Sequence, residues 1–183
     1  MTEIDVRFDR VAEANLSSLV GKTLLSYEHT PFVFTNSVSQ FVRFSVSGEL
    51  WYLYCFTEPL DYYGSIEDVS VLSFESKEYS FFQDKQCIET PIGETIKRII
   101  VVQENQKLFE NHALIYDVWL TRGIIFDFGN HQVSFEKGAW LSEQIIIRKG
   151  YDLLSEFTPT NAVMNDFSED AVVECERQTV IFE

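Results

Sequence analysis

The stretch FVRFSVSGELWYLYCF, residues 41–56, decides the fold. Between Phe41 and Val46 apolar and polar residues alternate, which is the period of a β-strand with one buried face. Residues 47–49 (Ser-Gly-Glu) favour a turn, and the aromatic-rich run 50–56 suits a returning strand. The stretch therefore predicts an antiparallel β-hairpin.

Runs of the same kind recur along the chain on both sides of this hairpin. They are short, rich in β-branched and aromatic residues, and often bounded by Gly, Asn or Asp. The further predicted strands are 69–74, 96–103, 114–120, 123–128, 132–136, 145–147 and 179–182. The fold class is therefore predicted as mainly β, with α+β character only at the margins: antiparallel sheets arranged as a sandwich or a curled sheet.

Two short helices are expected at the margins of these sheets. Residues 9–20 carry apolar residues at near-helical spacing, with Asp9 as a candidate N-cap and Gly21 as the stop. A second short helix is expected near 151–157, because two leucines and a phenylalanine share one side there and Pro159 ends the run.

The two halves of the chain resemble each other. The segment 21–24 (GKTL) matches 93–96 (GETI) at an offset of 72 residues, and 42–48 matches 124–130 at an offset of 82. Two matches in the same order favour a duplicated β-unit, although any all-β chain repeats such alternation. The predicted organisation is a single domain, 1–183, with duplicated halves 1–80 and 90–160 and a C-terminal strand, 172–182.

The chain is acidic, with 14 Lys and Arg against 29 Asp and Glu and a formal net charge of -15. Such a charge repels phosphate groups, so we expect neither a nucleic acid nor a membrane as partner. The longest apolar run, residues 50–56, has seven residues, whereas a membrane-spanning helix needs about 20. The charged start MTEIDVRFDR and three cysteines without CxxC spacing predict a cytoplasmic location with reduced thiols.

Most of the negative charge lies in two segments. Residues 49–96 hold ten acids and two bases, and residues 150–183 hold eight acids and one base. We expect the two segments to share one anionic surface that attracts a basic protein. The predicted partner-binding residues lie where tyrosines stand among carboxylates: Asp61, Tyr62, Tyr63, Glu67 and Asp68. The alternative for these residues is a solvated loop whose tyrosines fold back onto the core.

The sequence carries no complete motif for catalysis, metal binding or cofactor binding. Residues 127–129 spell the metal-binding DFG tripeptide of kinases without the other kinase motifs, so they predict a strand running into a turn. Glu136 and Glu143 around Trp140 form a carboxylate pair of a kind that is common by chance. We therefore predict no catalytic residue, no metal and no cofactor, and we expect Cys55 to be a small core residue.

Three kinds of function fit these observations. The first is a non-catalytic acidic module that binds a basic protein. The bacterial immunity proteins, which neutralise toxins or nucleases, are an example of this class, and the chain is similar to them in size and acidity alone. The second is a small-ligand-binding protein or enzyme with a pocket between the two β halves, lined by Trp119, Trp140 and Tyr52. The third is a structural or accessory subunit whose strand edges pair with a second copy in a homo-oligomer. Charge segregation favours the first.

Overall fold

The elements of the described part of the chain include two packed β-sheets, one short α-helix and a 3-10 turn. The computed structural model describes residues 3–62, 64–80, 83–138, 142–159 and 171–183. Strands account for 64% of the described residues, which confirms the predicted mainly-β class. The elements in chain order are β1 (Ile4–Val6), α1 (Arg10–Ser17), β2 (Thr23–His29), β3 (Ser37–Ser39), β4 (Phe41–Val46), β5 (Glu49–Tyr62), β6 (Ser65–Glu75), β7 (Ile88–Thr95), β8 (Arg98–Glu110), β9 (Ala113–Asp127), β10 (Gln132–Lys137), β11 (Gln144–Gly150), the 3-10 turn (Leu153–Glu156) and β12 (Ala171–Phe182).

The hairpin formed by β4 and β5 confirms the prediction from residues 41–56. Its strands are antiparallel, with Phe44 opposite Trp51. Val42 and Phe44 are fully buried, whereas Arg43 between them points to the other face and is partly exposed. The alternation of apolar and polar residues therefore decides which face of the sheet packs into the core.

Both predicted helical segments are present, in shorter form. The helix α1 begins at the predicted N-cap, where Asp9 accepts a hydrogen bond from the N–H of Ala12 at 2.8 Å. It ends at Ser17, before the predicted stop at Gly21, whose φ of +81° is the left-handed conformation that favours glycine. Near 151–157 the chain makes a single 3-10 turn.

The strand β9 differs from the prediction of two strands, 114–120 and 123–128. It is one strand of 15 residues that contains a β-bulge. The register shifts between Val102 and Gln103 of β8, which leaves Arg122 of β9 as the extra residue without a partner on β8. A bulge redirects a side chain without ending the pairing of the two strands. The change in the sequence pattern at Arg122 therefore marks a bulge and not a turn.

The two sheets have the same strand connectivity. The first sheet has the order β6-β5-β4-β2-β7, and the main path of the second sheet has the order β12-β8-β9-β10-β11-β3. In each sheet four consecutive antiparallel strands are followed by a fifth that pairs with the first of them. This is the arrangement that a duplicated β-unit would produce, and the duplication itself stays a prediction.

Two short strands of the first half of the chain join the second sheet. β1 pairs in parallel with β9. β3, which lies between β2 and β4 in the chain, pairs with β11, placing Val38 opposite Ile145. Directly after β3, the N–H of Gln40 donates to the carbonyl oxygen of Glu143, and its own carbonyl oxygen accepts from the N–H of Cys55, both at 2.8 Å. Gln40 thus ties the two sheets together.

The main core lies between the inner faces of the two sheets. Phe44 of the first sheet meets Phe126 and Phe135 of the second in edge-to-face contacts, with ring centroids 5.3 Å and 4.9 Å apart. Leu16 of α1 is fully buried in the same cluster. Cys55 is fully buried there as well, which confirms its predicted place in the core.

Candidate functional site

The end of the β5–β6 hairpin projects beyond the rest of the first sheet. β4 stops pairing with β5 at Tyr54, whereas β5 and β6 remain paired as far as Tyr62 and Ser65. Residues 57–68, which we call the hairpin end, therefore form a two-stranded ribbon with no third strand beside it in the described part of the chain. Nearly all of its described residues are exposed. The ribbon is thus accessible from both faces.

The turn of the hairpin end is built from a glycine and one of the predicted binding residues. Gly64 has a φ of +95°, and its N–H donates to the Oδ1 atom of Asp61 at 2.8 Å. Tyr63 and the side chain of Tyr62 lie outside the described residues. The structure therefore places three of the five predicted residues by their side chains: Asp61, Glu67 and Asp68.

The carboxylates of the hairpin end occupy both faces of the ribbon. In the register of β5 and β6, Asp68 lies opposite Pro59 and Glu67 lies opposite Leu60. Because side chains alternate along a strand, Asp61 and Asp68 share one face, while Glu67 shares the other with Glu58. Sequence analysis did not select Glu58, although the absence of any Lys or Arg from residues 49–76 was a signal for it.

The four carboxylates of the hairpin end form no ion pair with any described Lys, Arg or His. Elsewhere, acids of the same segment are paired: Lys22 binds Glu49 at 2.9 Å, and Arg43 contacts Glu78 at 3.4 Å. The hairpin end therefore carries an uncompensated negative charge on a projecting surface. Ile66, 72% exposed, adds an apolar contact surface among these carboxylates.

The second acidic segment belongs to the other sheet. Residues 171–182 form β12, the edge strand next to β8, whereas residues 49–96 supply three strands of the first sheet. Asp166, Glu169 and Asp170 lie outside the described residues. That the two segments share one anionic surface stays a prediction, so the hairpin end is treated below as a site on its own.

A network of buried charges lies on the outer face of the second sheet. At its centre is Arg122, 2% exposed, placed by the bulge in β9 between two fully buried carboxylates. Its Nη2 atom donates to Glu136 Oε1 at 2.6 Å, and its Nε atom lies 3.4 Å from Glu104 Oε2. At the rim of the network, Arg148 donates to Glu136, and Arg177 donates to Glu104 at 2.5 Å.

The segment after β11 closes over this network. The N–H of Thr158 donates to Glu136 Oε1 at 2.9 Å, and the carbonyl oxygen of Thr158 accepts from Arg177. Leu153 and Phe157 are buried in a small apolar cluster on the same face. With every carboxylate bound by guanidinium groups, the network offers no free acid or base and serves to fix the segment and the sheet.

The carboxylate pair considered in the sequence is divided between two environments. Glu136 belongs to the buried network, whereas Glu143 accepts hydrogen bonds from the Gln40 side chain at 2.9 Å and from the N–H of Thr57 at 3.2 Å. Trp140 lies outside the described residues. Both carboxylates are thus engaged as structural acceptors, Glu143 at the base of the hairpin end.

Two buried ionisable groups have strongly shifted pKa values. Burial lowers the pKa of Lys137 from its ordinary 10.5 to about 8. Burial likewise raises the pKa of the Cys55 thiol from 9.0 to about 12. The thiol therefore stays protonated at neutral pH, which does not suit a nucleophile.

We expect the free energy of unfolding to rise by about 1 kcal/mol between about pH 8 and pH 9 because of Lys137. In this range the unfolded chain binds a proton at Lys137 that the folded protein partly releases, so folding becomes more favourable as pH rises. Cys55 acts in the opposite direction from about pH 8 upward, because only the unfolded thiol ionises there, and this offsets a smaller part of the rise. Urea unfolding at both pH values measures the rise.

The matched variants for this prediction are Lys137→Met and Lys107→Met. Lys137→Met should flatten the pH dependence. Lys107 is 37% exposed on β8, and its replacement should leave the dependence unchanged. A wild-type slope that survives in Lys137→Met would contradict the assignment.

The three described grooves do not bring together Tyr52 and Trp119, two of the residues predicted to line a pocket. Tyr52 is buried on the outer face of the first sheet, where its ring stacks on Tyr54 at 5.5 Å. Trp119 lies under the guanidinium of Arg7, 4.6 Å from the ring centroid. Three described grooves of about 370, 450 and 430 Å³ are lined by neither aromatic residue. Among the described residues, no three His, Cys, Asp or Glu side chains cluster as a metal site.

Comparison of the chain with protein-family models, with curated proteins and with solved structures finds no match. In the described part of the chain, no helix has the length and apolar character that crossing a membrane requires.

Proposed function

We propose that this protein is a non-catalytic binding module that captures a basic protein, with the hairpin end as its contact surface. The observation that carries the proposal is the contrast between this ribbon and the rest of the molecule. Glu58, Asp61, Glu67 and Asp68 are exposed and unpaired among the described residues, whereas the buried carboxylates are bound by guanidinium groups. Folding alone does not require such an unpaired acidic ribbon.

A ribbon of this kind suits a concave basic surface on the partner. Because its carboxylates lie on both faces, Lys and Arg side chains can reach it from two sides at once. Its negative field attracts the partner over a distance of about 10 Å at moderate salt, which raises the association rate. Ile66 then offers apolar area for the final contact.

Within this class, we propose an immunity-type role in which the partner is a basic toxin or nuclease. An acidic ribbon would occupy the cationic groove in which a nuclease holds nucleic acid phosphates, and so exclude its substrate. Recovery of a basic toxin in a pull-down from the host at low salt, and its loss at high salt, would support this role. Recovery of no basic protein at either salt concentration would contradict it.

Neutralising the hairpin end should slow association with the recovered partner about tenfold or more and change dissociation much less. The variant is Asp61→Asn combined with Glu67→Gln and Asp68→Asn. It keeps the oxygen that accepts from Gly64, so the turn is preserved. Stopped-flow association at about 50 mM and about 500 mM salt measures the effect, which should shrink at the higher salt concentration.

The matched control changes the net charge by the same amount at other exposed acids. Glu3→Gln, Asp84→Asn and Glu89→Gln together remove three exposed carboxylates outside the hairpin end. If this control slows association as much as the hairpin variant does, the net charge of the molecule and not the hairpin end attracts the partner.

A further inference from the structure

The edges of the two sheets differ in how well they are protected against strand addition. β3 is only three residues long, and the groove-lining helix α1 lies beside β6. β7 contains Pro91 and Glu89, and its pairing with β2 shifts register. Short length, proline, charge and irregular register are the usual means by which proteins protect an edge. Apart from β6, which has α1 beside it, β12 is the one described edge strand outside the hairpin end that has neither short length, nor proline, nor an irregular register.

β12 is a long and regular edge strand. All 12 of its residues pair with β8 without a register shift. It contains no proline, glycine or lysine, and its single basic residue, Arg177, is bound to Glu104 in the buried network. Exposed residues along it include two glutamates and two large apolar residues: Val172, Glu174, Glu176 and Ile181. In the described part of the chain, no strand pairs with the side of β12 that faces away from β8.

The turn between β8 and β9 indicates which amides of β12 face outward. Asn111 and His112 both have positive φ and connect Glu110 to Ala113, the type I′ geometry in which the closing pair is hydrogen bonded. Alternate residues of β8, starting with Phe109, therefore turn their amides toward β12. Their partners on β12 are the even-numbered residues, so the amides of the odd-numbered residues face the open side.

We propose that an extended, Lys- or Arg-bearing segment of the basic partner adds to the open side of β12 as a further strand. This inference rests on the proposed function and extends it to a second contact. Glu174 and Glu176 lie on one face of β12, and neither forms an ion pair with a described base. Alternate basic side chains on an added antiparallel strand would stand beside them.

Charge also disfavours a second copy of this chain that pairs about the middle of β12. A symmetric antiparallel pair of β12 strands places one residue opposite itself at its centre. Centring on Glu176 or Arg177 puts like charges face to face, and centring on Cys175 puts Glu174 opposite Glu176. Like charges directly opposite destabilise a strand pair. A basic strand meets no such opposition.

Two synthetic peptides test the proposal with defined chemistry. One is a ten-residue peptide of alternating lysine and valine, which can form a strand; the other alternates lysine and proline, which has the same charge and cannot. Fluorescence anisotropy at about 50 mM salt should give about tenfold tighter binding of the lysine–valine peptide. Hydrogen exchange should show new protection at the amides of Val173 and Thr179 when it binds.

Two pairs of variants test whether the lysine–valine peptide binds at β12. Thr179→Pro removes an outward amide and should abolish the tenfold preference, while Thr179→Ala, which keeps the amide, should preserve it. Glu174→Lys with Glu176→Lys should weaken binding of the lysine–valine peptide more than the two corresponding Gln substitutions. If Thr179→Pro fails to fold, the Lys and Gln variants still decide the question.

The outcomes separate this inference from the proposed function. Equal binding of both peptides, weakened only by neutralising the hairpin end, would overturn strand addition and leave the proposed function standing. Strand-specific protection at β12 with no effect of the hairpin variant would support strand addition and contradict the role of the hairpin end. Concentration-dependent dimerisation abolished by Thr179→Pro would identify a second copy as the occupant and overturn the commitment to a basic partner.

Discussion

Replacing Arg122 by methionine is expected to lower the free energy of unfolding by about 3–5 kcal/mol. The substitution roughly keeps the side-chain volume and removes the central cation of the buried network. Glu104 and Glu136, both fully buried, would then lose the group that lies between them, and Gly138 would lose the donor to its carbonyl oxygen. A buried carboxylate deprived of its partner cannot recover the lost interaction from water.

The control for Arg122→Met is Arg98→Met. Arg98 is 38% exposed and pairs with Asp127 at 2.5 Å, so its loss should cost less than about 1 kcal/mol. Urea unfolding at neutral pH measures both variants. A double-mutant cycle with Glu136→Gln should give a coupling energy, since the two side chains are hydrogen bonded at 2.6 Å. Equal, small costs for the two arginine variants would show that the network contributes nothing beyond a surface ion pair.

Gly123→Ala is expected to destabilise the protein by about 3 kcal/mol, at the upper end of the usual cost of overpacking. A Cβ atom at this position would lie 2.2 Å from the carbonyl oxygen of Phe135 and 2.9 Å from the Cα of Glu136. Both are backbone atoms of β10, which is held on its other side by β11. β10 would have to move away from β9, and the hydrogen bonds of the ladder would lengthen.

Gly150→Ala is the matched control. A Cβ at Gly150 would meet only the Cδ2 atom of Leu153 at 3.2 Å, the end of a flexible side chain that can rotate aside. Its cost should stay below about 1 kcal/mol. Thermal unfolding of the two variants measures the difference. If Gly123→Ala is no worse than Gly150→Ala, the close approach of β9 and β10 at the bulge is not a constraint on the fold.

Local sequence patterns were sufficient to predict the features that depend only on residues close together in the chain. The alternation in residues 41–56 predicted the β4–β5 hairpin because a strand pair with one buried face needs that period. The Asp9 side chain predicted the start of α1 because capping involves only the next three residues. Cys55 was placed in the core because its neighbours are apolar on both sides.

Features that depend on distant residues could not be predicted in the same way. The interruption of the apolar run at Arg122 was interpreted as the end of a strand. The partners that allow a buried arginine there, Glu104 and Glu136, are separated from it in the chain, so the residues around Arg122 do not reveal them. β3 has a composition that fits a loop, and only its pairing with β11 makes it a strand. Tertiary context overrides local preference in both cases.

The candidate site could be predicted by its charge and not by its geometry. Asp61, Glu67 and Asp68 were selected because acids and tyrosines stand together there, which needs no knowledge of the fold. That Glu58 belongs with them follows only from the register of β5 and β6. The projection of the ribbon beyond β4 depends on the relative lengths of three strands, for which composition has no signal.

The crossing of β3 into the second sheet affects how the protein unfolds. Because the chain leaves one layer, completes the other and returns within a few residues, we expect melting of one layer to disrupt the other. Unfolding should therefore be a single cooperative event, and slowly exchanging amides in the two layers should report one common opening free energy. A fragment that contains only β8 to β12 would lack β3, the strand that completes the second sheet. The similarity of the two layers therefore does not make them separable.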